Sequence, residues 1–387
     1  MIVQLGDVIQ KILGNEDRLT TEREFYVGGE HFISGNLEVK QRGIIKNEDL
    51  GYQFHFPFEC GDVLFMTKNP RLRKAGRADF SGICSIATFV IRTKSELVLS
   101  QDFLPVIFQS DDFWDYLIAN QSGSVNPFIK WGTLEKYTFN LPDISVQNHY
   151  CKIIWDLQEL INTLEKHSSL LDQLVKSRFI EMFGNPVQSD KYPRIKFGSI
   201  IKNIVNGMGS PPQFSDEGYA FIRATNIENG SIVNRDMLHI SEETALKLEK
   251  YKVHTGDFIF VRSGAYAGDV CVIPDEYDGQ YGAYDINVQI DQEKTNPVFL
   301  NTLFNSNYME SVIRPLTSRS AQPHLNTKQV AGLDILVPPM ELQNEFVDFV
   351  KQVDKSRFEL QRHLENTRKL QKALINQAFK ERTHHDT

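Results

Sequence analysis

A chain of 387 residues exceeds one ordinary domain, and 41% hydrophobic residues suffice for cores of good size. No apolar run reaches the roughly 18 residues of a membrane span, and no basic stretch with an apolar core opens the chain, so neither membrane insertion nor secretion is expected. The net charge of −8 argues against a protein coated in positive charge, which leaves local basic clusters as the places to look for polyanion contacts.

Residues 1–145 read as short strands and turns around a mixed domain. Leu5-Gly6-Asp7-Val8-Ile9 opens a short helix or strand, and Phe32–Leu37 and Cys60–Met66 read as strands. Ile83–Ile91 is one β-rich run, Phe103–Ala119 is helical, and Leu134–Leu141 is a last strand closed by Pro142. The block Lys68, Arg71, Arg73, Lys74 and Arg77 is locally strongly basic.

Residues 146–185 form a spacer helix. Tyr150, Ile153, Leu157, Leu160, Leu164, Leu171 and Leu174 recur at heptad spacing, the pattern of a narrow seam built to pair with another helix. Gly184-Asn185-Pro186 is a stop signal. At 1.5 Å per residue the helix runs on the order of 55 Å.

Residues 186–341 repeat the first domain, 342–380 repeat the helix, and 381–387 are a tail. Adding 196 maps Ser122, Ser124, Pro127, Pro142 and Gln147 onto Ser318, Ser320, Pro323, Pro338 and Gln343 without a gap. Thr255-Gly256-Asp257-Phe258 answers Cys60-Gly61-Asp62-Val63, and Val298–Arg314 answers Phe103–Ala119. The expected fold class is α+β: two mixed α/β domains separated by two long helices that pair as an antiparallel coiled coil, with pseudo-two-fold repetition. The expected helix-pairing residues are Leu157, Leu164 and Leu171 on the first helix and Val353, Leu360 and Leu370 on the second.

Catalytic groups do not assemble on any reading. The nucleotide-binding glycine patterns are absent, and Val337-Pro338-Pro339-Met340 lacks the flanks of an amino-methyltransferase loop. Glu38-Val39-Lys40 has nuclease-like spacing, but its upstream acid, Asp17, has no strand context. The four cysteines are isolated and carry no metal-ligand spacing, as in a reduced cytoplasmic protein. No catalytic or metal residue is therefore assigned.

Loops rich in hydroxyl, amide and guanidinium groups recur instead, and such groups hold phosphates or read base edges. They are Ser122–Lys130 and its counterpart Ser318–Asn326, with Phe221–Ile227 and Arg262–Gly268. Each alone reads as turn chemistry; their presence in both copies moves the reading toward binding.

Taken together, Gly256-Asp257-Phe258-Ile259-Phe260, the Gly264 and Gly268 loop, Phe221–Ile227, Ser320–Asn326 and Val337–Gln343 resemble the specificity subunits of type I restriction-modification systems. The first half departs from this pattern, with Leu141-Pro142-Asp143 in place of Val337-Pro338-Pro339 and a basic segment in place of the Gly-x-x-x-Gly loop. The resemblance implies a non-catalytic DNA-recognition subunit whose domains each read one half of a split target. Its helices would set the half-site spacing and dock modification (methyltransferase) subunits, two of them, with restriction subunits joining. S-adenosylmethionine, ATP and magnesium would belong to those partners. Candidate contacts to double-stranded DNA are Lys68, Arg71, Arg73, Ser124, Asn126 and Lys130 in the first domain. In the second they are Arg223, Thr225, Asn226, Arg262, Ser263, Tyr266, Arg319, Ser320, Gln322 and Asn326. The rival expectation is a protein-interaction scaffold of two β-rich domains on a coiled coil.

Overall fold

The computed structural model describes residues 1–317 and 324–379, which divide into two mixed α/β units. The first comprises Met1–Lys166 with the described residues from Leu360 on; the second comprises His167–Glu359. Each unit therefore contains part of both long helices, Ile144–Phe183 and Met340–Gln377.

In the first unit a five-stranded sheet runs in the order Ile9–Ile12, Thr88–Thr93, Val63–Met66, Ala75–Ala78, Glu38–Val39. Interleaved with these strands in the chain are those of a four-stranded sheet, Gly43–Ile44, Phe25–Val27, Gly82–Ser85, Phe54–Phe58. Helices Leu104–Gln109 and Asp111–Ala119 supply Phe108, Phe113 and Trp114, which pack on Phe65 of the larger sheet. Tyr150 and Ile154 from one long helix, Ile375 from the other and Ala378 just past its end complete that core.

The second unit repeats the main sheet with the same strand order: Ile201–Val205, Ile286–Ile290, Phe258–Phe260, Val270–Val272. Its core gathers Phe197, Phe258, Phe260 and Phe304, closed by Phe179 and Phe183 of the first long helix and Phe346 of the second.

The duplication extends to single hydrogen bonds. In the first unit buried Gln147 accepts from Ser100 N–H at 3.0 Å and donates to the Pro142 carbonyl at 2.8 Å. In the second, buried Gln343 accepts from Asn296 N–H at 2.9 Å and donates to the Pro338 carbonyl at 2.8 Å. All three pairs of positions lie 196 residues apart. Leu5 N–H meets Tyr137 O as Phe197 N–H meets Leu333 O. A Cβ on Gly6 would stand 2.9 Å from Glu135 Cβ, and one on Gly198 3.0 Å from Ala331 O, so both positions favour glycine.

Several elements are shorter than the sequence suggests. Phe32–Leu37 is a turn, because Gly35 adopts φ +71° and donates to Arg73 O. The Ile83–Ile91 run splits into Gly82–Ser85 and Thr88–Thr93, which join different sheets. The break falls where Ile86 donates to Gln53 O and Ala87 accepts from Thr67 N–H. Phe103–Ala119 breaks at extended Ser110. Leu134–Leu141 yields only the strand Thr138–Asn140, after the short helix Trp131–Leu134. Val298–Arg314 becomes the helix Pro297–Phe304 and the π-helical turn Met309–Ile313, just ahead of Pro315, which has no N–H to continue an α-helical ladder.

The heptad seam also needs correction. Leu160, Leu174 and Leu370 are about half exposed, whereas Gln147, Cys151, Ile154, Gln158 and Ile161 form the buried line of the first long helix. That line lies one residue out of phase with the predicted seam. Two of its members are glutamines with satisfied amides, which apolar counting passes over. Val353 is buried, while Leu157, Leu164, Leu171 and Leu360 are half-buried. In the second unit Arg357 pairs with Asp172 at 2.8 Å and Arg178 with Glu345 at 3.2 Å. In the first, buried Gln371 donates to Ile154 O and Gln158 Oε1, both at 3.2 Å. The first long helix ends at Gly184, where φ is +79° and the N–H returns to Ile180 O.

Replacing Gln343 by Ala strands the Asn296 N–H and the Pro338 carbonyl. It should cost roughly 2–4 kcal/mol, measured by urea melting, and Gln147→Ala should cost a similar amount. A loss below 0.5 kcal/mol (on the order of surface substitutions) at both positions would show that these anchors carry little.

Candidate nucleic-acid interface

Each unit builds a pair of loops on the Gly-Asp strand. In the first unit Gly61 takes φ +93°, and buried Asp62 accepts from Glu59 N–H at 2.8 Å. The strand Val63–Met66 follows and delivers Thr67 and Lys68 at its end. In the second, Gly256 takes φ +86°, Asp257 accepts from His254 N–H at 2.9 Å, and Phe258–Phe260 leads to Val261 and Arg262.

At the strand exit a second loop docks in the same way in both units. Ile129 N–H donates to Thr67 O at 2.9 Å, and Lys68 bridges Phe128. Leu325 N–H donates to Arg262 O at 2.8 Å, and Ser263 bridges His324. Sequence positions scattered over sixty residues thus become one surface per unit.

In the first unit that surface carries Lys68, Arg71, Ser124, Asn126 and Lys130, all exposed. Ser122 and Phe128 exchange backbone hydrogen bonds of 2.9 and 2.8 Å, closing a hairpin whose tip presents Val125, 87% exposed. Asn69 N–H ties the basic segment to Pro127 O at 2.9 Å. No carboxylate among the described residues forms an ion pair with Lys68, Arg71 or Lys130. Arg73 differs from the sequence expectation: it adopts φ +48° and pairs with Asp111, so its charge is spent within the unit. Lys74 likewise donates to Gly29 O, and Arg77 pairs with Asp102 and lies over the Trp155 ring.

In the second unit Ser263 and Tyr266 are exposed on the Gly264–Gly268 loop, which turns through positive φ at both glycines. Thr225 is exposed as well. Asn226 is corrected: it is fully buried, and its amide donates to Val233 O and Arg235 O, so it shapes a turn and presents no edge to a ligand. Asn326 is exposed, but its carbonyl caps the helix Thr327–Ala331 by accepting from Gln329 N–H. Arg223 donates to Asp236 O at 2.6 Å, and Arg262 to Gly207 O at 2.9 Å, so both guanidiniums are held against backbone. Arg319, Ser320 and Gln322 lie outside the described residues.

Sequence reasoning missed Gly207 and Asp285, which lie on either side of Arg262. Gly207 admits no side chain, since a Cβ would stand 2.0 Å from Tyr284 O. Asp285 Oδ1 accepts Arg262 N–H at 2.9 Å, and burial pushes its carboxyl up to about 6 against the pull of Arg262. Only a lone acid after Tyr284 marks it in the sequence. Glu38, the nuclease candidate, is engaged by Asn162 and Lys40. Among the described residues no helix is long and apolar enough to cross a membrane.

Residues 210–368 match the type I restriction modification DNA specificity domain family. The chain is similar to the MjaVIII specificity subunit of Methanocaldococcus jannaschii, 20% identical with 97% of this chain and 91% of that one covered. It also resembles the EcoKI specificity subunit of Escherichia coli, 19% identical over 77% of this chain and 68% of that one. Its fold is similar to that of the type I S subunit from M. genitalium, with a TM-score of 0.56 at 11% identity, covering 99% of this chain and 96% of the other. The similarity of this chain is thus to type I DNA-specificity subunits.

In this chain the two loop pairs occupy equivalent scaffold positions with unlike side chains. Lys68→Gln and Arg71→Gln should each lower the slope of log affinity against log salt by about 1, as loss of a phosphate contact does. The slope is read by DNA titration at several salt concentrations, and Arg73→Gln should lower thermal stability and leave the slope unchanged.

The Asp285 carboxyl ionises near 3.8 when unfolded and near 6 when folded, so it costs stability as pH rises through that window. Asp285→Asn should therefore gain up to about 3 kcal/mol at pH 7.5 relative to pH 4. Melting curves at the two pH values check this; a gain independent of pH would refute it.

Proposed function

We propose that each unit of this specificity subunit reads one half of a split, asymmetric DNA target. The duplicated loop pair carries this reading: one scaffold places a polar surface at the same strand exit twice, with Lys68, Asn126 and Lys130 in one copy and Ser263, Tyr266 and Asn326 in the other. Two recognition surfaces of different chemistry suit two half-sites of different sequence, with phosphate contacts setting register and base edges setting specificity. On this reading 1–145 and 186–341 are the recognition domains.

The long helices, 146–185 and 342–380 with the short tail 381–387 beyond, pair as an antiparallel coiled coil that fixes the distance between half-sites. The ion pairs and buried glutamines within each unit support that pairing. The same helices dock the modification subunits, which hold S-adenosylmethionine and methylate adenine. Restriction subunits add ATP- and magnesium-dependent work in the cytoplasm. This chain contributes recognition and no bond-making of its own, in keeping with the lack of any assembled catalytic group in its sequence.

Adenine methylation should be mapped across the host genome with and without the gene. The expected result is loss of one motif made of two short half-sites around a fixed gap. An unchanged methylome in a strain that expresses the chain with its modification subunit would overturn the reading in favour of a protein-interaction scaffold.

A further inference from the structure

Four segments of the second unit meet at Arg262. Its backbone N–H donates to Asp285 Oδ1 at 2.9 Å, and its carbonyl accepts from Leu325 N–H at 2.8 Å. Its guanidinium donates to Gly207 O at 2.9 Å and approaches Met208 O at 3.5 Å. The 207–208 segment is pinned in turn, because Met208 N–H donates to Ala283 O at 2.7 Å and Gly207 lies flat on Tyr284. The Arg262 side chain therefore holds the Gly207 loop to the strand exit, while the backbone of the same residue, fixed by Asp285, carries the segment at Leu325 and opens the Gly264–Gly268 loop.

The guanidinium is turned away from a reader's task. Bidentate recognition of a guanine needs two donors of the fork free on one edge. Here one terminal nitrogen is committed to Gly207 O, the other faces Met208 O, and Nε is buried without a partner among the described residues. Asp285 is 5% exposed, and its Oδ2 is likewise buried without a partner among the described residues. Buried polar groups left in this state persist where surrounding structure over-determines them, a mark of local constraint. The first unit has no such arginine at the equivalent place. Thr67 stands there, with its N–H and its hydroxyl both bonded to Ala87 O at 2.8 Å.

We infer that Arg262 is a positioning residue, not a base reader, and that with Asp285 it sets the arrangement of three loops in the second unit and hence the sequence discrimination of one half-site alone. This rests on the proposed assignment of one half-site to each unit. Loosening Arg262 releases the Gly207 loop from the strand exit, so that bases at one half-site are read by loops held less firmly. The other half-site, read by a unit with Thr67 at that place, is untouched.

The test is the methylation motif written by the complete complex carrying Arg262→Gln, Arg262→Lys, Asp285→Asn or Asp285→Ala. Arg262→Gln and Asp285→Ala should make at least one position of a single half-site degenerate, with methylation at mismatched sites rising about tenfold or more. Arg262→Lys keeps a donor for Gly207 O and should stay closer to the parent motif. Asp285→Asn keeps the acceptor for Arg262 N–H and should leave the motif intact. Degeneracy in both halves, an unaltered motif, or complete loss of methylation with Arg262→Gln and Asp285→Ala alike would overturn the inference. If the parent complex itself writes no bipartite motif, the half-site reading fails, and that outcome is distinct from all of these.

Discussion

A carboxamide buried at the start of each long helix holds the architecture together. Gln147 and Gln343 each bond a backbone N–H from the segment leading into the unit's helices and a carbonyl from the proline turn just behind. Such a side chain has no good alternative, because an unmade bond at a dry site costs its full desolvation. The glutamine thus fixes where the helix leaves the unit. The edge strand ahead of it, Thr138–Asn140 or Asp334–Leu336, must then close on the first strand of that unit. From that strand back to the end of the exposed loop, Lys130 or Asn326, only residues 131–137 or 327–333 intervene, so the loop surface inherits its place from the anchor.

With the scaffold held constant, difference is confined to what the loops display. The first unit offers cations that pair with no carboxylate among the described residues and a hairpin tip bearing Val125; the second offers hydroxyls, an aromatic ring and arginines bound to backbone. The net charge of −8 is compatible with DNA recognition because the cations needed are few and local. Arg73 and Arg77 nearby are paired with Asp111 and Asp102, so the local excess is smaller than the sequence block suggests.

Much of this was legible in the sequence and some was not, for identifiable reasons. The 196-residue repeat, the two long helices and the Gly-Asp strand heads could be read, because glycine, proline and glutamine at anchor positions tolerate few substitutes. The buried line of the helix could not, since Gln147 and Gln158 count as polar while the neighbouring Leu160 counts as core. Asn226 and Arg73 were misread for a related reason: their residue types suit DNA equally well, and only tertiary partners reveal that Val233 and Asp111 claim them. Asp285 gave no periodic or motif signal, and its role depends on burial that a lone acid does not announce.

On the proposed function each unit is a separate reader, built on one scaffold and acting through its own loop pair. Hydroxyl-radical footprinting of the assembled complex on a duplex bearing its target tests this most directly, with Lys68, Arg71 and Lys130 replaced together by glutamine. Protection should weaken over one half-site and persist over the other. Equal weakening over both halves, or unchanged protection throughout, would contradict the account.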